Sequence, residues 1–110
     1  MKLKRENACM IYDKNTEICI DPSLPVFNLL GKKYTLLILG VIGNNNTRKN
    51  FNDILNSVPG ISKTILAKRL KELIGLNIIL KDENDIITYG LTNKGIKIRK
   101  GLIEFLNATL

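Results

Sequence analysis

Arg48, Lys49, Lys63, Lys68, Arg69 and Lys71 lie in the stretch 44–71, where the only acid is Asp53. Six cations against one acid leave a surplus of five, in a 110-residue chain whose net charge is +7. Ammonium and guanidinium groups at this density suit an anionic partner, binding phosphate by charge and base edges by hydrogen bonds. A second basic group, Lys94, Lys97, Arg99 and Lys100, lies near the C-terminal end. A charge run alone is often no more than a solvated face. What distinguishes the two cases is the element that carries the charges.

Other chemistry is excluded by residue type. There is no histidine, which removes Ser-His-Asp and Cys-His nucleophile pairs, imidazole acid/base chemistry and His-containing metal sites. Two cysteines cannot make a four-ligand zinc site alone. Asp82, Glu83 and Asp85 cluster at a loop tip and suit a solvated turn better than an acid/base or metal site. No Gly-rich phosphate loop is present. The sequence therefore predicts no enzyme, no metal and no cofactor. The longest apolar run, 34–43, is about half of the roughly 20 residues that a membrane helix needs. The apolar stretch after the basic segment 1–9 is too broken for a signal peptide. The expectation is a cytoplasmic protein with no membrane partner. With 45% hydrophobic and 25% charged residues the chain is an ordinary globular domain. Aromatics are only 5% with no tryptophan, so the core must be aliphatic.

Two short β-prone runs, 8–12 and 17–20, flank the turn formers Asp13-Lys14-Asn15-Thr16 and predict an N-terminal hairpin. Asp21-Pro22-Ser23-Leu24-Pro25 breaks the chain, and Pro25 opens a short helix over 26–30. A second helix is expected over 32–42, with Leu36, Leu37, Leu39 and Ile42 available for the core. Gly43 then ends it in a left-handed conformation. Phe51, Ile54, Leu55 and Val58 recur at helical spacing, so a third helix is expected over 48–57, ended by Pro59-Gly60.

Ser62 is a good N-cap for the next helix, about 62–74. Ile65, Leu66, Leu70 and Leu73 share one arc of it. Thr64, Ala67, Lys68 and Lys71 share the opposite arc, and Lys63 borders it. One face is therefore core and the other is basic, small and hydrogen-bonding. That composition fits a major groove: Lys for phosphate or guanine, Thr for bases, Ala for close approach. Arg69 falls inside the apolar arc. It is either a stem packed on the core with its head paired to an acid such as Asp53, or a phosphate contact from the helix edge. Gly75 is expected to close the helix. Strands over 78–81 and 86–91 then form a hairpin. Thr92 caps a last helix running to about 106. Ile96, Ile98, Leu102, Ile103, Phe105 and Leu106 make it more apolar than a lone surface helix requires, so part of it, with Ile98, Leu102, Ile103, Phe105 and Leu106 as the interface, is expected to meet a second copy.

The order is helix, helix, helix, turn, basic helix, two-stranded hairpin, helix. This predicts an α+β, mostly α fold: a winged helix-turn-helix with a two-stranded wing, an N-terminal β-hairpin and a C-terminal dimerisation helix. Residues 1–24 would form the arm and 25–110 the DNA-binding domain with its dimer helix. In a helix-turn-helix the second helix docks in the major groove.

Several segments resemble a known family. Gly31-Lys32-Lys33-Tyr34-Thr35-Leu36-Leu37-Ile38-Leu39 is similar to the G-G/K-K-W-T-L-L-I-L segment of HxlR-type, MarR-like winged-helix regulators. Phe51-Asn52-Asp53-Ile54-Leu55 resembles their R-F-N-E-L. Pro59-Gly60-Ile61-Ser62, Leu66, Arg69-Leu70, Leu73 and Gly75-Leu76 resemble their P-G-I-S helix, with a shorter spacing at the end. Tyr89-Gly90-Leu91-Thr92-Asn93-Lys94-Gly95 resembles Y-x-L-T-x-K-G after the wing. The resemblance covers about 25–106 and implies a homodimeric DNA-binding transcription regulator that dimerises through its terminal helices. There are departures. Tyr34 replaces the family tryptophan, and Asn50 replaces an arginine. Leu24 stands where some members carry a thiol-sensing cysteine, so that mechanism does not carry over. The wing tip, 82–85, is acidic and would be repelled by phosphate, leaving only Lys81 at the wing base as a contact.

The expected partners are double-stranded DNA and a second copy of the chain, with no effector legible. Thr64, Ala67, Lys68 and Lys71 are expected in the groove. Ser62 and Lys63 would hold the backbone at the helix start, with Arg48 and Lys49 on phosphates, joined by Arg69 where it acts from the helix edge. The alternative is a protein–protein module whose basic face meets an acidic partner, a reading the acidic wing tip favours. Cys9 and Cys19 fall on the two arms of the expected hairpin. If they pair, Tyr12 faces Thr16 across a three-residue loop, which permits a disulfide or redox switch. The alternative is two small buried thiols.

Overall fold

The computed structural model describes residues 9–21 and 23–110. Two strands, β1 (Cys9–Asp13) and β2 (Thr16–Ile20), pair as an antiparallel ribbon. Ala8, expected to start the first strand, lies outside the described residues. The link is a two-residue turn with Lys14 at φ 53°, not a three-residue loop. The register therefore differs by one from the expected one: Cys9 stands opposite Ile20 and Cys19 opposite Met10. The two cysteines are not cross-strand partners, and Cys19 is an exposed thiol with no bonded partner among the described residues.

Pro25 opens α1 (Pro25–Leu30) at its first turn, where a missing N–H costs nothing. The second helix, α2 (Thr35–Ile42), starts three residues later than expected. Tyr34 precedes it at φ 76°, so 32–34 is a turn. A helix with apolar residues on every side does not announce its inner face. Thr35, Ile38, Leu39 and Ile42 are buried, whereas Leu36 and Leu37, expected in the core, are exposed. The Thr35 hydroxyl is fully buried with no hydrogen-bond partner among the described residues. Thr35→Val keeps the shape and removes an unpaired polar group. It should raise stability by about 1 kcal/mol, measured by urea unfolding.

Gly43 is not left-handed, with φ −88°. Asn45 and Asn46 supply the positive φ of the following turn, at 59° and 55°. Lys49–Asn50 is extended, giving β3. The third helix, α3 (Phe51–Ser57), starts after it rather than at Arg48, with the Asn50 side chain accepting from the Asp53 N–H. The next helix is α4 (Lys63–Gly75), and Gly75 lies inside it. Its end is made by Asn77 at φ 60°. The Asn77 N–H donates to the Ile74 carbonyl and the Ile78 N–H to the Leu73 carbonyl, the paired closure of a Schellman end.

Strands β4 (Ile79–Asp82) and β5 (Thr88–Leu91) form the wing. The second is two residues shorter than expected, which leaves Ile86 and Ile87 exposed in the loop. A third strand joins the two-stranded wing. The sheet runs β3-β5-β4, with Lys49 opposite Tyr89 and Asn50 opposite Thr88. The last helix, α5 (Asn93–Thr109), is capped by Thr92, whose hydroxyl accepts from the Gly95 N–H. The aliphatic core joins Ile38, Leu39 and Ile42 of α2 to Ile54, to Leu66, Leu70 and Leu73 of α4, and to Ile79 and Tyr89 of the wing. No helix among the described residues is long and apolar enough to cross a membrane.

Candidate nucleic-acid interface

The turn into α4 is held from two sides. Gly60 adopts φ 80°, a conformation that costs glycine little. Its carbonyl accepts from the Tyr34 hydroxyl at 3.3 Å, tying the turn to the start of α2. Ser62 Oγ then accepts from the Ile65 N–H at 3.1 Å, filling one of the unpaired donors of the first helical turn. Leu66, Leu70 and Leu73 fix the rotation of α4 by burial. Lys63, Thr64, Ala67, Lys68 and Lys71 are consequently all exposed on the opposite side. None of the three lysines has an ion-pair or hydrogen-bond partner among the described residues. From Lys63 to Lys71 the helix rises by about 12 Å.

Arg69 is not part of that face. Its side chain is 12% exposed, and Nη1 pairs with Glu72 at 2.9 Å, not with Asp53. Its Nε donates to the Lys33 carbonyl at 3.3 Å. Glu72 also takes the Lys32 ammonium at 2.7 Å, so one carboxylate joins α4 to the turn before α2. The Lys32 hydrogen bond, opposed by partial burial and helped by Arg69, holds the Glu72 carboxyl below the usual glutamate range. Its stabilising contribution is therefore complete above that range and fades as pH falls through the depressed value. Glu72→Gln should cost about 1 kcal/mol at neutral pH. The gap to the parent chain should close on acidification, as followed by urea melts between about pH 7 and pH 3.

The other expected contacts divide. Arg48 donates through Nε to Thr88 Oγ1 at 2.8 Å and through Nη2 to the Leu80 and Thr88 carbonyls at 3.3 Å. It braces the wing. Lys49 donates to the Asn44 carbonyl at 2.7 Å and to Thr47, closing the asparagine turn. Lys81 is exposed at the wing base, with Glu83 at 3.9 Å. In α5, Ile98 packs against the chain's own core and Leu102 is half-buried. Ile103, Phe105 and Leu106 stay 40%, 64% and 48% exposed.

The architecture and the helix order are those of a winged helix-turn-helix, and the model of the HxlR-like helix-turn-helix family matches residues 29–108. The chain belongs to the HxlR-like helix-turn-helix family. A possible HxlR family transcriptional factor from Thermoplasma volcanium GSS1 superposes with a TM-score of 0.87 at 50% identity, covering 93% of this chain and 94% of that one. The HTH-type transcriptional regulator YodB of Bacillus subtilis is 36% identical over 77 residues, 66% of this chain and 67% of YodB. A MarR family regulator structure from Porphyromonas gingivalis W83 superposes with a TM-score of 0.68 at 27% identity, over 88% of this chain and 92% of that one. This HxlR-like chain thus stands among transcriptional regulators rather than enzymes.

Within the HxlR-like fold, two features escape sequence reasoning. Glu72 looks like an ordinary surface acid, and only the folded chain shows it gripping Lys32 and Arg69. Arg99 looks like one more cation of the C-terminal basic group. In the structure its Nε donates to the Gly40 carbonyl and its Nη2 to Asn44 Oδ1, both at 2.9 Å.

Proposed function

We propose that this HxlR-family regulator binds double-stranded DNA sequence-specifically as a cytoplasmic homodimer, with α4 in the major groove. The observation that carries the proposal is the outer face of α4. Lys63, Lys68 and Lys71 are exposed and unpaired there among the described residues, whereas Arg48, Lys49, Arg69, Lys94 and Arg99 are engaged by the chain's own carbonyls or by Glu72. Flanked by Thr64 and Ala67, these lysines have the composition that base-edge and phosphate contact requires. The exposed Phe105 and Leu106 support a second copy packing along the end of α5. Lys81 adds a phosphate contact at the wing base.

Fluorescence anisotropy tests the proposal, with duplex from the gene's own upstream region and a scrambled duplex, across a salt series. Tight, steeply salt-dependent binding that prefers the upstream duplex is expected. Equal, weak binding to both would reduce the face to bulk electrostatics and overturn the proposal.

A further inference from the structure

A cleft of about 400 Å³ lies where α5 meets the asparagine turn and the central strand of the wing. Its accessible apolar lining is Leu91, Ile96 and Ile103, over the buried Ile42; its cations are Arg48, Arg99 and Lys100, and no carboxylate lines it among the described residues. Ile96 is 52% exposed and Ile103 40%, so the lining is open to an incoming apolar group.

The two arginines are built into the walls. The Arg99 stem lies against Gly43, where any Cβ would collide with Cδ and Nε. The Arg48 guanidinium lies over Gly90, whose Cβ would stand 2.6 Å from Nη1. Backbone carbonyls and the side chains of Thr88 and Asn44 hold Nε and Nη2 of both. Nη1 of each has no hydrogen-bond partner among the described residues. A guanidinium carries five N–H donors in a fixed fork, so both present unfilled donors without freedom to turn away. Small-molecule sites are clefts of this size, mostly apolar, with a few fixed polar groups. A bare anion would leave Ile96 and Ile103 wet. A neutral apolar molecule would leave three cations unanswered.

We infer that this cleft binds a small amphipathic anion, a carboxylate on an aliphatic or aromatic body. The carboxylate faces Arg48, Arg99 and Lys100, and the body lies on Leu91, Ile96 and Ile103. The inference goes beyond DNA binding and does not depend on it.

The test is a titration of the 15N-labelled full chain with octanoate, 1-octanol and inorganic phosphate. Octanoate should give saturable shifts at the amides of Gly43, Gly90 and Ile96, with the other two probes binding roughly tenfold more weakly or less. Equal binding by octanol would mean an unspecific apolar patch, and equal binding by phosphate a bare anion site; either overturns the inference. So does an absence of octanoate shifts in the cleft, including the case where a second copy fills it. Lys100 is exposed and makes no hydrogen bond among the described residues, so Lys100→Glu should fold normally. It should weaken octanoate by about tenfold and leave octanol unchanged; an unchanged octanoate affinity also overturns the inference.

Discussion

Alanine at both Lys68 and Lys71 should lower affinity for duplex DNA by about a hundredfold, roughly tenfold for each charge-assisted hydrogen bond removed. The plot of log affinity against log salt should flatten by about two units, one per phosphate released. Both effects follow from the orientation of α4. Leu66, Leu70 and Leu73 are buried, so both lysines are held on the outer face of the helix, and neither has a partner among the described residues to give up. Stability should hardly change for the same reason. Arg69→Ala is the informative contrast. Its guanidinium sits against Glu72 and the Lys33 carbonyl, so its removal should appear in the urea melt and leave the salt slope nearly intact. An unchanged slope in the double lysine variant, measured by anisotropy on the upstream duplex, would remove α4 from the interface.

Gly95→Ala should destabilise the chain by about 3 kcal/mol, lowering the melting temperature by roughly 10–20 °C. Gly95 is buried in the first turn of α5, and a Cβ there would run into the Ile78 carbonyl oxygen. That oxygen cannot yield cheaply. It already accepts the Thr92 N–H at 3.1 Å and lies 2.9 Å from the Thr92 hydroxyl. The added methyl therefore pries α5 from the α4–β4 turn instead of displacing a flexible side chain. Gly101→Ala, in the same helix, meets nothing within 4 Å. It should gain about 0.5–1 kcal/mol from helix propensity alone. If calorimetry gave the two variants similar melting temperatures, the docking of α5 on Ile78 would not matter to stability.

Much of this architecture is legible residue by residue. Ser62 and Thr92 cap as their side-chain chemistry requires, Pro25 opens α1, and the period of Leu66, Leu70 and Leu73 orients α4. What escapes has physical reasons. In α2 every candidate is apolar, so periodicity cannot choose a face, and a threonine lies inside while Leu36 and Leu37 face out. Asparagine adopts positive φ more readily than most residues other than glycine, and Asn45, Asn46 and Asn77 make the turns assigned to Gly43 and Gly75. Lys49–Asn50 has no strand propensity and becomes β3 only because β5 offers it an edge. The outer face of α4 follows from spacing. The engagement of Arg48, Lys49 and Arg69 is set by carbonyls and an acid brought up by the fold, which no local pattern reveals.

The pairing of β3 with β5 has a practical corollary. Lys49 stands beside Tyr89, so α3, α4 and most of the wing lie on a loop whose two ends are fastened together. The far end of α5 hangs outside that ring, with Leu110 99% exposed. A dye, affinity handle or surface tether joined at Leu110 pulls on a tail and not on the ring. A pull at Leu110 is therefore felt first by α5 and the seam proposed at Phe105 and Leu106, and only then by the ring that carries α4.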